Sequence, residues 1–290
     1  LYIPHVRIYN AVGVGTLVLQ GCLGALLAPP WLTPWQGAAI ALAVLAVSWF
    51  VCGVYLSDII HMGIAHRALD YRPWFIQTVT LVNNTLGIYV DPVSWVRRHR
   101  LHHGFSDHAG DPNKLASDGF WRTLWLCVFP YSCQTDTATD PILESWPFRL
   151  VSHPLFTYLS PVVSIGVLWL LVRDWKYAVG VWFGVRIFAL WVNMVQNYWT
   201  HDRRFGTRRY EDADDNAMNI GEWFPVTATF SACWQNNHHH HPGFMRTTHD
   251  PAEYDFGLAT VKVMGKLGLV RPSATGQVRP EGLALGEIGL

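Results

Sequence analysis

The stretch GAAIALAVLAVSWFVCGVYLSDIIHMGIAH, Gly37–His66, decides the fold. From Gly37 to Leu56 it carries no charged residue, and an uninterrupted apolar run of about 18 residues is long enough for a membrane-spanning helix. It then continues without a helix breaker into His61 and His66. The 24 residues from Gly37 to His61 reach roughly 36 Å at about 1.5 Å each, against a hydrocarbon core of about 30 Å. The two histidines are therefore expected just outside the lipid, on a helix that leaves it.

Working outward, Ala11 to Ala28 and Pro154 to Val172 are equally free of charge, and Tyr177 to Thr200 carries one charged residue, Arg186. With half the composition apolar and 14% charged, four such segments argue for an all-α integral membrane protein. The spans are expected near 11–28, 37–56, 154–172 and 177–200. Residues 58–152 and 201–270 then form a helical cap on one side, a flexible tail occupies 271–290, and residues 1–290 make one domain. Pro29 to Trp35, PPWLTPW, reads as a tight turn at the membrane surface. The first run lacks a cleavage site and is followed by a second, so it reads as a retained span.

Four spans put the N-terminus, 58–152 and everything past residue 200 on the same side. That side holds eight Lys and Arg in 58–152 and nine after residue 200, whereas the opposite side has Arg173 and Lys176. The bias makes the histidine-bearing side cytoplasmic, and the membrane the inner one if the source is bacterial. Phe75 to Val90, interrupted by Asn83 and Asn84, reads as interfacial or re-entrant; Phe120 to Tyr131 reads as a surface segment, and Ala259 to Leu269 as a short amphipathic helix. A formal net charge of zero gives no reason to expect nucleic acid, and five Cys without a CxxC pair read as buried hydrophobes or idle thiols. Arg186 is costly in lipid and should face the bundle or snorkel.

The second informative stretch is WVRRHRLHHGFSDHAGD, Trp95–Asp111. On a helix, His99, His102 and His103 share one face, and converging neutral imidazoles suit a transition metal. Asn197 and His201 share a face at the end of the fourth span, and QNNHH supplies Gln235, His238 and His239. His61 and His66 are five apart, about 140° around an α-helix, so one metal is not expected to take both; the spacing suits two metals flanking the helix. Eight His with Asn and Gln exceed the four ligands of a structural zinc, and two metals is the natural count. His108, Asp107, Asp111 and Asn113 are candidates to orient ligands through hydrogen bonds. Isolated His5, His153 and His249 read as surface residues.

HMGIAH at the end of span two, HRLHH in the following loop, Asn197-x-x-x-His201 at the end of span four and the final QNNHH box resemble the membrane fatty-acid desaturases of the stearoyl-CoA type, over roughly residues 37–270. FSDHAGDPN and YDFGLATVKVMGKLGL add to the likeness. The resemblance implies a di-iron centre. Its ligands would be His61, His66, His99, His102, His103, His201, His238 and His239, with Asn197 holding a metal-bound water. It also implies O2 as co-substrate, removal of two hydrogens from a fatty acyl thioester of CoA or acyl-carrier protein, and an electron donor such as ferredoxin or cytochrome b5 with its reductase. By the same likeness Trp95 lines the acyl channel and Arg97 touches the CoA group, against the alternatives of an interfacial Trp and of Arg97, Arg98 and Arg100 meeting lipid headgroups.

One position departs from the pattern: Gln235 stands where that type has His. QxxHH resembles the front-end desaturases, whose fused cytochrome b5 domain this chain has no room for. Gln235 offers a neutral carbonyl oxygen, weaker than imidazole for iron, and His240 or His241 is an alternative ligand if the segment is irregular. An acetylenase or a hydroxylase on the same scaffold has the same ligands. A histidine-rich metal transporter is the rival of another class, and would place its ligands near the bilayer midplane.

Overall fold

The computed structural model describes residues 6–113, 118–129, 140–211 and 215–273. Among the described residues four helices are long and apolar enough to cross a membrane: Ile8–Leu26, Pro34–Ala65, Pro154–Val172 and Trp175–His201. They belong to α1 (Val6–Leu26), α2 (Pro34–Gly53) with its continuation Val54–Ala65, α7 (Pro154–Val172) and α8 (Trp175–Asn197). Between and after them lie α3 (Pro73–Leu86), α4 (Pro92–Phe105), α5 (Phe120–Val128), α6 (Trp146–Val151), α9 (Trp223–Ala228), α10 (Gln235–His240) and α11 (Phe256–Lys266).

Local chemistry sets the boundaries. Thr33 and Gln36 form a reciprocal capping box with Pro34 in the first turn, so α2 starts where the PPWLTPW turn ends. Asp174 caps α8 at the Tyr177 N–H, and Arg173 ends α7 in the left-handed region (φ 58°), making the hairpin between spans three and four two residues long. The spans approach closely where side chains are small. A Cβ on Gly37 would lie 2.2 Å from the Gly24 carbonyl oxygen, and Tyr177 donates its hydroxyl to the Gly37 carbonyl at 2.5 Å. Gln20, fully buried, donates its amide to the carbonyls of Ala41 (2.9 Å) and Val181 (3.3 Å), tying α1, α2 and α8 together where no water is at hand.

Beyond Gly53 the second span changes winding. Val54–Ala65 is π-helical, and the segment ends with the His66 N–H on the His61 carbonyl at 3.0 Å, a five-residue step. A two-stranded antiparallel ribbon, β1 (Leu69–Tyr71) with β2 (Val270–Pro272), then joins the two ends of the cap. It takes in the first two residues of the tail expected from 271; 274–290 lie outside the described residues. The Phe75–Val90 run is helical as far as Leu86, where α3 ends, with Asn83 and Asn84 fully buried. Asn84 donates to the Tyr55 hydroxyl and accepts the Val90 N–H, while Asn83 donates to the Ile88 carbonyl, so the polar interruption fixes the chain where α3 stops. α5 leaves Trp121 and Trp125 exposed, as expected of a surface segment. Arg186 is directed inward: it donates to the Gly87 carbonyl (3.1 Å) and its guanidinium lies 5.0 Å from the Trp182 ring.

Candidate metal centre

Four elements converge at the cap side of the spans. α4 begins at Pro92 because the Asp91 carboxylate caps the Val93 and Ser94 N–H groups and is itself held by the Ser152 hydroxyl at 2.7 Å. Arg100 reaches back from α4 and donates to the carbonyls of Ala65 (3.1 Å) and Ile64 (2.8 Å). It thereby caps the end of the π-helical segment and clamps the HMGIAH and HRLHH boxes to each other. α10 is held through its two asparagines. Asn236 accepts the N–H groups of Arg209 and Tyr210 and donates to the Tyr210 carbonyl, while Asn237 donates to the Thr247 carbonyl and accepts from Asn219.

The imidazoles gather in two groups, His61, His66, His99, His103 and His238 in one, and His102, His201 and His239 in the other; within each group the ligand nitrogens lie within 4.8 Å of one another. Nε2 atoms face each other at 3.0 Å (His61 and His238), 2.8 Å (His66 and His99), 3.1 Å (His103 and His238) and 3.3 Å (His102 and His239). Metal–nitrogen bonds near 2.0–2.1 Å place opposed ligands about 4 Å apart, so a shared cation in each group fits this convergence of lone pairs. The donor chemistry fits too: nitrogen throughout, buried, and suited to a first-row transition metal.

The histidines depart from the expected spacing in two places. His61 and His66 do not flank the helix; their ring centroids are 4.9 Å apart in the same group. The 140° estimate assumed α-helical winding, and the wider π turn returns the fifth residue to the starting face. The HRLHH box also divides. His99 and His103, one α-turn apart, join the five-histidine group, and His102 faces the other.

Three of the ligands are backed by carboxylates. His102 Nδ1 lies 2.9 Å from Asp111 Oδ2, His201 Nδ1 3.3 Å from Asp107 Oδ2, and His239 Nδ1 2.9 Å from Asp215 Oδ2. A carboxylate on Nδ1 fixes the tautomer that leaves the Nε2 lone pair free for metal. Asp107 and Asp111 were legible as candidates. Asp215 was not, because it lies in the charged EDADDN stretch, 24 residues before His239, with nothing in its spacing to mark it. Asn113 takes part through its backbone N–H, which Asp111 Oδ1 accepts at 2.7 Å. His108 is exposed, and it is its backbone that closes the loop, through the Phe105 carbonyl and the Asp111 N–H. Asp107 adopts a left-handed conformation (φ 62°), open to Asp at modest cost, which turns the chain after α4 back toward the histidines.

Electrostatics follow from burial. His66, His99, His103 and His238 are held well below the usual histidine range, first by burial and then by neighbouring imidazoles. Burial pushes His239 down to about 4, with the hydrogen bond to Asp215 opposing it. Burial alone would raise Asp107, but the bonds and charge of His201 and the Asn216 N–H bring it down to about 2. His66, His99, His103, His238 and His239 are thus neutral imidazoles, the form that binds metal.

Trp95 stacks on His99 (centroids 4.7 Å, 14°) and meets His61 edge-on at 5.7 Å. Asn197 ends α8 and donates to the Asn193 side chain and carbonyl, and His201 follows in a tight 3₁₀ turn. Gln235 is buried and donates its amide N–H to the Ala232 carbonyl, so that of its two polar atoms Oε1 is the one able to act as a ligand. His240 does not join either group; it stacks on Tyr210 at 3.8 Å. His249 is half-buried, with Nδ1 2.8 Å from the Tyr210 hydroxyl, and His153 caps α7 at the Leu155 N–H; His5 lies outside the described residues. Because the histidines sit at the ends of spans two and four, the midplane placement of a transport site is not met.

The profile of the fatty acid desaturase family matches residues 17–253. The chain belongs to the fatty acid desaturase family. Among curated relatives, the sn-1 stearoyl-lipid 9-desaturase of Anabaena variabilis is 29% identical over 88% of this chain and 91% of its own length. The acyl-CoA 5-desaturase of Anemone leveillei is 26% identical over 92% of this chain and 81% of its own. The hex-5-enoyl-[acyl-carrier protein] acetylenase of Moorena producens is 26% identical over 93% of this chain and 85% of its own. Membership makes this desaturase-family chain an oxidoreductase of acyl chains.

Proposed function

We propose that this protein is an O2-dependent di-iron desaturase that introduces a double bond into the acyl chain of a fatty acyl thioester, CoA or acyl-carrier protein, with its active site on the cytoplasmic side. The observation that carries the reading is the convergence of eight imidazoles from four separated segments into two adjoining buried groups. A pair of irons held there would supply electron storage and the reduction of O2. The five-histidine group has nitrogen for nearly a full coordination sphere. The three-histidine group leaves room for Gln235 Oε1 and for a water held by Asn197, whose amide N–H groups are already committed to Asn193.

The chain's own residues account for substrate placement. Against α4 and the start of α7 lies a cavity of about 400 Å³, lined by Val96, Arg97, Arg100, Arg149, Ser152 and His153 among others. The guanidiniums of Arg97 and Arg149 have no ion-pair or hydrogen-bond partner among the described residues, and beside Glu144 on the same wall they suit the phosphates of CoA or of a carrier-protein arm. Trp95, on the same helix two residues before Arg97, would guide the alkyl chain past His99 and His61. Electrons would come from a carrier such as ferredoxin or cytochrome b5 with its reductase.

A second reading, an acyl group carried on a membrane lipid, is favoured by the Anabaena relative and by the cavity's position at the first turn of a spanning helix. An acetylenase reaction draws support from the Moorena relative. The deciding experiment is the fatty-acid profile of a host expressing the wild type beside His102→Ala, followed by the purified enzyme offered acyl-CoA, acyl-carrier protein and lipid-linked acyl groups. New unsaturation that disappears with His102→Ala is expected; an unchanged profile with iron-loaded protein would refute the activity, and a triple bond or hydroxyl would redirect it.

A further inference from the structure

The two histidine groups differ in what stands behind them. Each imidazole of the three-histidine group has a carboxylate on its outer nitrogen: Asp111 behind His102, Asp107 behind His201 and Asp215 behind His239. The carboxylates are as buried as the ligands, with side chains 0%, 3% and 6% exposed. Each is also fixed by donors: Asp111 by the Asp107 and Asn113 N–H groups, Asp107 by the Asn216 N–H, and Asp215 by the Ala217 N–H and the Arg208 guanidinium. Among the described residues no carboxylate lies within ion-pair reach of His61, His66, His99, His103 or His238, and His238 Nδ1 is buried with no hydrogen-bond partner at all.

A divalent ion with three carboxylates behind its ligands, and the Arg208 guanidinium on one of them, leaves the three-histidine position with no net charge. The same ion among five neutral imidazoles leaves two positive charges. In a site of low dielectric such a difference is large, and carboxylate backing also makes each imidazole a stronger donor.

Resting on the di-iron reading above, we propose that the two metal positions are electrostatically unlike, the three-histidine position being the one that holds the more highly charged ion when the pair is oxidised by one electron. Asp107, Asp111 and Asp215 are its positioning residues, and Asp215 in particular orients His239. The electron leaves the iron among His102, His201 and His239, and the five-histidine iron stays divalent.

The test uses full-length protein in detergent loaded with 57Fe(II), as wild type, Asp111→Asn and Asp215→Asn. Asn keeps the size and an acceptor oxygen but removes the charge. Two variants are needed because Asp215 also holds Arg208 and Ala217, so its substitution alone could disturb those contacts; thermal midpoints identify a variant that has merely unfolded. One equivalent of ferricyanide, reduced to ferrocyanide, withdraws one electron per iron pair, and Mössbauer spectra resolve the ferric and ferrous ions. The expected result is a ferric signal that changes in both variants while the ferrous one does not. One of the two irons should also become extractable by about 10–100-fold less chelator. A variant that alters the ferrous signal instead, or loses both irons together, overturns the inequivalence, as do spectra and extraction identical to wild type. Wild-type protein that binds no iron would instead overturn the di-iron reading itself, so the two failures are distinguishable.

Discussion

Gly53 is where the second span changes from α to π winding, and the structure ties that change to the metal centre through one side chain. A Cβ placed on Gly53 would lie 1.9 Å from Cε2, 2.2 Å from Cδ2 and 2.4 Å from Cζ of Phe230. Ordinary contact begins near 3.4 Å, so the ring would have to retreat by about 1.5 Å. It has nowhere to go: Trp49, Phe50 and Phe256 surround it at centroid distances of 5.3, 5.9 and 4.9 Å. Phe230 also sits in a left-handed turn (φ 52°) and takes the Ser57 hydroxyl on its carbonyl, five residues before Gln235 opens the last histidine box. Gly53→Ala should therefore cost about 1–3 kcal/mol of overpacking, and the displacement should pull His238 away from His61, their nitrogens now 3.0 Å apart. Gly15→Ala is the matched control: its Cβ meets nothing within 4 Å, and Ala at a helix interior gains up to about 1 kcal/mol. Thermal midpoint and iron per chain would be measured on both in one detergent. Gly53→Ala should melt lower and hold less iron, and Phe230→Leu added to it should restore part of both. Indistinguishable behaviour of the two glycine variants would refute the reasoning.

Gln235→His should keep or raise the iron content, since imidazole replaces a weaker neutral oxygen on the face shared with His238 and His239; complete loss of iron on that change would mean that the amide bond to Ala232 is essential to the box. Arg97→Ala should raise KM for a phosphate-bearing acyl carrier by roughly tenfold, the worth of one charge-assisted bond of about 1.5 kcal/mol, with little effect on kcat; an unchanged KM would move the carrier away from the cavity at α4. Metal-free protein should lose stability as pH falls below 6.5. His239, lowered from 6.5 to about 4, binds its proton more weakly folded than unfolded, so the unfolded chain gains protons first and about 3 kcal/mol is lost by pH 4. Asp107, lowered from 3.8 to about 2, adds a loss of the same sign only below pH 3.8. A thermal midpoint that stays flat between pH 7.5 and 5 would contradict neutral, buried imidazoles.

The sequence by itself determined the four apolar spans and singled out the eight imidazoles that the fold brings together, because span length and residue chemistry are local properties. It also marked Asp107 and Asp111, which lie within one loop of the ligands. Which imidazole goes to which group was decided only by the tertiary structure. His99, His102 and His103 share a face of the α-helix α4, yet His102 joins His201 and His239 while His99 and His103 join His238. The pairing of His61 with His66 depends on a π turn that the Arg100 clamp and Phe230 packing accompany, and spacing alone was read in α-helical units. Asp215 meets His239 across 24 residues of sequence, where Asn236 holds the Arg209 and Tyr210 backbone to α10 and Arg208 holds Asp215. Local physics names the groups that can bind a metal, but where their nitrogens point is a property of long-range packing.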